Sequence, residues 1–167
     1  MLHLQNINNA DRQEERQMKK NIGKTENGFD VYVIIDNEHM KAHSDATNNL
    51  IAEAIRKVTY TPPFWMNSIE MERTIGKDSC VEVTSEDDVR WICRPGREIK
   101  SPVVFNKEPK NTSLFTVGLC TDDDGLVTVF TAFAGLKAPK EPNDPRLKDS
   151  ERAESEEFWR THALCNC

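Results

Sequence analysis

The chain has 167 residues, 37% of them hydrophobic and 30% charged, with a formal charge of −6. That length fits one domain with a modest core. The acidic balance speaks against sequence-independent nucleic-acid binding, which rests on Lys and Arg. No run of about 18 apolar residues is present to span a membrane. Residues 1–6 lack the charged-then-apolar order of a signal peptide. A cytoplasmic protein with no membrane partner is expected.

Residues 1–28 are rich in Asn, Gln, Lys and Glu, with few apolar anchors, and read as a polar, mobile lead-in. Within it, 11–20 suits a polar helix and 21–28 a loop. Residues 29–167 read as a single α+β domain. Phe29 to Ile35 is apolar and β-branched, a strand signal. Two histidines, His39 and His43, follow four residues apart, after Asp36 and Asn37, either of which can cap a short helix. On a helix that spacing puts both imidazoles on one face. They could bind a metal together, divide acid and base work near neutral pH, or simply be solvated.

Leu50, Ile51, Ala54, Ile55 and Val58 form an apolar helical stripe over 48–58, with Ser44 or Asp45 as N-cap. Thr61-Pro62-Pro63 closes it, and Phe64-Trp65-Met66 reads as an aromatic patch on a connecting segment. After Ser79 the period changes to two. Strands are expected at 80–84, 89–94, 102–105, 114–120 and 126–134. Asp124-Gly125 marks the last two as an antiparallel hairpin. Pro139, Pro142 and Pro145 forbid regular structure over 135–148. Residues 150–164 read as a closing helix docked by Phe158, Trp159 and Leu164. The expected fold is α+β, with an N-terminal helical part, an antiparallel four- to five-stranded meander, and a C-terminal helix.

The five cysteines are Cys80, Cys93, Cys120, Cys165 and Cys167. The odd count and the missing leader argue against a disulfide framework. Cys80, Cys93 and Cys120 fall in strand-like runs and read as small buried thiols. Asp122-Asp123-Asp124-Gly125 lacks the alternating ligands and late Glu of a calcium loop, and reads as a solvated hairpin tip. Met40 stands where a zinc protease carries its general base. Arg94-Pro95-Gly96-Arg97 sets two guanidiniums around a turn, a geometry suited to phosphate or to plain solvation. Thr131 and Phe133 share one face of the last strand.

Taken in order, 31–35, His39, His43, the Arg94 to Arg97 turn and Thr131-Ala132-Phe133 resemble the barnase–EndoU–colicin–RelE superfamily of small ribonucleases, its phage-associated branch above all. The likeness spans roughly 31–134. EndoU-like members place a Tyr two positions after the Ser or Thr of the last strand, and this chain has Phe133 there. The resemblance implies a metal-independent endoribonuclease without cofactor, in which the ribose 2′-OH attacks the adjacent phosphate. His39 and His43 would be base and acid, with His162 able to replace one of them. Arg94 and Thr131 would hold and orient the phosphate, and Arg97 and Lys41 would bind substrate. RNA, and a protein inhibitor or antitoxin, are the implied partners. Two rivals stand beside it: a binding or regulatory module on the same scaffold, and a small metalloprotein using His39, His43 and Cys165 or Cys167.

Overall fold

A computed structural model describes residues 18–166, so 11–17 of the expected 11–20 helix and Cys167 lie outside the described residues, and Lys19 and Lys20 of that expected helix are in a strand. Among the described residues the protein is mostly β, with eleven strands in three sheets and short helices. This overturns the expected helical N-terminal part followed by one meander. The helical signal of 48–58 is real, but strands precede it and others were hidden in polar sequence.

The chain forms two compact units. The first takes the chain to Met71 and then Phe115–Ala134. Its strands are β1 (Lys19–Lys24), β2 (Asp30–Ile34), β3 (Phe64–Glu70), β9 (Leu114–Thr121) and β10 (Val127–Ala134), in the sheet order β1-β2-β10-β9-β3. β10 runs antiparallel to β9 and parallel to β2, with Val127 beside Val31. The sheet is therefore mixed, not an antiparallel meander. β1 falls in the expected lead-in, and β3 in the expected connecting segment.

Two short helices belong to this unit, α1 (Glu38–Lys41) and α2 (Asn48–Ile55). The α2 stripe Leu50, Ile51, Ala54 and Ile55 is buried, joined by Val31, Val58, Tyr60, Phe115, Val117, Leu119 and Val129. Thr47, not Ser44 or Asp45, is the cap, its Oγ1 accepting from Leu50 N at 3.2 Å. At the β9–β10 hairpin, Asp122 Oδ1 accepts from Asp124 N (3.0 Å) and Leu126 N (2.9 Å), and Lys19 Nζ reaches Asp122 Oδ2 at 2.6 Å. Burial alone would raise the Asp122 pKa, yet Lys19 and those N–H groups hold it below the usual carboxylate value.

β10 carries a bulge between Val129 and Thr131. There the Phe130 ring lies against Gly118 and stacks on Phe64 at 5.2 Å between centroids. A Cβ on Gly118 would meet the Phe130 ring, with two ring atoms at 2.8 Å. Gly118→Ala should therefore cost about 1–3 kcal/mol by overpacking. Urea unfolding checks this. Pairing the change with Phe130→Leu should recover most of the loss, and a neutral single variant would contradict the clash.

The second unit takes Glu72–Leu114 and Gly135 onward. It holds β4 (Gly76–Asp78) paired with β8 (Lys110–Thr112). It also holds a four-stranded sheet of β5 (Cys80–Glu82), β6 (Val89–Cys93), β7 (Lys100–Val104) and β11 (His162–Cys165), ordered β5-β11-β7-β6. A 3-10 turn, Asp149–Glu151, leads into α3 (Arg152–Thr161). The expected closing helix thus stops at Thr161, and His162 to Cys165 cross into the sheet. Ala163 and Cys165 are buried there with Val81 and Val104. Period-two burial in a four-residue strand is too short to outweigh the helical pattern before it.

Candidate acid–base site

The histidine pair sits where β2 gives way to α1. Asp36 takes φ 60, a left-handed conformation that Asp tolerates. Asn37 then caps α1, its Oδ1 accepting from His39 N at 3.1 Å. α1 is one turn long, so His43 lies just past its end. The pair nevertheless stays together, with ring centroids 5.0 Å apart in an edge-to-face arrangement.

β10 supplies the other wall. His39 Nε2 lies 3.0 Å from the Thr131 hydroxyl, and the His43 ring packs on Phe133 at 5.7 Å between centroids. Thr131 is buried and follows the bulge directly. Bulges re-aim side chains in this way beside functional sites. Burial lowers the His43 pKa below the ordinary imidazole value, and the neighbouring His39 lowers it further. His43 is thus neutral at pH 7, a ring able to accept a proton.

That shift has a sign. The unfolded chain takes up the proton at an ordinary value of about 6.5, before the folded chain does. The contribution of neutral His43 to stability is complete above that pH. It is lost as pH falls from the unfolded value through the folded one. The melting temperature should drop below about pH 6.5, and His43→Gln should flatten that limb. Superimposable profiles for the two proteins would contradict the assignment.

The other expected site residues belong to the second unit or are engaged. Lys41 is exposed and pairs with Glu38 at 2.7 Å. Arg94 and Arg97 belong to the second unit. Arg94 lies 3.9 Å and Arg97 3.5 Å from the carboxylate of buried Glu141. Ser101 Oγ donates to the same carboxylate at 2.7 Å. Burial and the like charge of Arg97 lower the Arg94 pKa, against the pull of Glu141. His162 is also in the second unit, stacked on Phe158 at 4.1 Å, with Nδ1 3.0 Å from both the Phe158 carbonyl oxygen and Thr161 Oγ1. Reading the sequence missed Glu141, which sits among prolines without any periodic signal.

Cys80 and Cys165 belong to the second unit. Cys165 is buried in β11, and the Cys80 thiol is pushed up to about 12 by burial, then by Asp78 and Cys165. Among the described residues, no three of His, Cys, Asp and Glu gather as metal ligands would. No helix among them is long and apolar enough to cross a membrane. No family model, curated protein or solved structure matches the chain.

Proposed function

We propose that the His39–His43–Thr131 cluster is the acid–base centre of a metal-independent endoribonuclease. The observation that carries the reading is the His39 Nε2 to Thr131 Oγ1 contact of 3.0 Å beside a half-buried, neutral His43. One ring is oriented by a buried hydroxyl, and the other is ready to take a proton. His43 would accept the proton of a ribose 2′-OH as that oxygen attacks phosphorus. His39, in its protonated form, would return a proton as the 5′-oxygen leaves. The products are a 2′,3′-cyclic phosphate and a 5′-hydroxyl, so the proton balance closes within the pair.

The test is incubation of end-labelled single-stranded RNA with the protein in chelator. Cleavage to cyclic-phosphate ends, blocked by a 2′-deoxy sugar at the scissile position, supports the proposal. Absence of cleavage, or full cleavage by the His39→Ala, His43→Ala double variant, sinks it.

A second reading keeps the scaffold without catalysis. It is favoured by Phe133, which brings no phenol hydroxyl to His43, and by Glu141, which offsets part of the Arg94 and Arg97 charge. RNA bound but not cut would select it. In either case RNA is the proposed partner, and a protein inhibitor covering the histidines is the second.

A further inference from the structure

We propose that the free edge of β6 is a self-association surface, on which two copies of this chain pair their β6 strands antiparallel about Trp91. β6 ends the order β5-β11-β7-β6, so only one side of Val89–Cys93 has a strand partner among the described residues. The register with β7, and the 3.0 Å bond from Phe105 N to the Asp88 carbonyl, set the phase of the ladder. Antiparallel ladders alternate, so Asp88, Arg90 and Ile92 turn their main-chain groups toward β7, while Val89, Trp91 and Cys93 turn theirs away. The Val89 N–H is taken by the Asp87 carbonyl at 3.0 Å, which leaves Trp91 at the centre of the outward set.

The exposed side chains suit a strand partner better than water. Trp91 is 44% and Ile92 36% exposed on this edge. Val89 and Trp91 also line an open groove of about 830 Å³ against Trp159 and Pro142. The partner's Trp91 would lie along its open side.

Charge selects both the occupant and the register. Centring the pair on Trp91 sets Trp91 opposite its own copy, Val89 opposite the partner's Cys93 and Arg90 opposite the partner's Ile92. It also brings Asp88, which pairs with Arg90 of its own chain at 3.2 Å, opposite the partner's Arg94, twice by symmetry. Moving the centre one residue either way sets Arg90 opposite the partner's Arg90 or the partner's Arg94. Facing opposite charges stabilise a strand pair and facing like charges destabilise it. Edge strands are commonly guarded by charge against pairing. Here the two signs are spaced so that the edge complements itself.

Sedimentation velocity of the full chain over a concentration series tests this. A monomer–dimer equilibrium is expected. Trp91→Pro removes an outward N–H but no bond to β7, a position where edge strands accept proline. It should weaken association by at least about tenfold with the circular dichroism unchanged. Asp88→Arg, at an exposed side chain, should weaken it too, most at low salt where charge is least screened. Val89→Cys sets a thiol opposite the partner's Cys93, at the roughly 5.5 Å Cα spacing of a bonded pair. That spacing lies within disulfide reach. Oxidation with diamide should then give a covalent dimer that Cys93→Ser abolishes. A chain monomeric up to about 1 mM overturns the proposal. So does a dimer unmoved by Asp88→Arg, or one in which the cross-link fails to form.

Discussion

Under the proposed nuclease reading, His43→Ala is expected to slow RNA cleavage by about 10²–10⁴-fold, the loss that follows removal of one general acid or base. His39, 5.0 Å away between ring centroids, already serves as the acid in this reading, and Phe133 cannot accept a proton. The pH dependence separates a catalytic role from a structural one. With His43 as base, the rate should fall on the acid side with an apparent pKa below the ordinary imidazole value, because burial lowers that of His43. Thr131→Val keeps the volume but removes the hydroxyl 3.0 Å from His39. It should lower the rate less than His43→Ala and leave the acid limb in place. A Thr131→Val protein as slow as His43→Ala, with lost stability, would point to a folding defect. A His43→Ala protein as fast as the parent would remove His43 from the chemistry.

Trp159→Ala is expected to destabilise the second unit by about 3–5 kcal/mol, as truncation of large buried aromatics does. Trp159 is 5% exposed, and its Nε1 donates to the carbonyls of Pro139 (3.1 Å) and Lys140 (3.3 Å). Ser155 Oγ donates to Lys140 O at 2.6 Å, and Arg152 to Pro142 O at 3.1 Å. One face of α3 thus satisfies carbonyls that a proline-rich segment cannot pair with strand or helix partners. Trp159→Phe should retain most of the packing and lose roughly 1 kcal/mol for the missing N–H. Urea unfolding followed by hydrogen exchange at Ala163 and Leu164 reads the change where it occurs. A loss below about 1 kcal/mol for the alanine variant would mean that other contacts hold α3.

The elements legible in the sequence were those whose pattern is strong and local. The α2 stripe, the β9–β10 hairpin with its Asp124-Gly125 turn, and the irregular 135–148 stretch all appear where the residues indicate. Strands with polar faces were not legible. Lys19–Lys24 reads Lys-Lys-Asn-Ile-Gly-Lys, and it is a strand because β2 offers it a ladder, not because its residues prefer one. His162 to Cys165 merges with the helix before it because four residues of period two are too few to outweigh that helical pattern. At the site, the nearness of His39 and His43 follows from spacing, and their meeting with Thr131 follows only from the parallel pairing of β2 with β10. Sequence order carries no signal for such a pairing. Glu141 facing two arginines is likewise a tertiary fact.

The parallel pairing of β2 with β10 also fixes when the first unit can finish folding. β10 is the central strand of its sheet, yet it is synthesised after the whole 72–114 segment, which belongs to the other unit. A ribosome-bound chain that has released α2 and β3 holds β2 with one edge uncovered until Val127–Ala134 emerges. Closing so long a loop costs entropy before any contact repays it. Folding dominated by such non-local pairing runs on the scale of about milliseconds to seconds. During that interval the bare β2 edge, with exposed Ile34 and Ile35 at its end, is the part of the nascent chain most open to wrong strand partners.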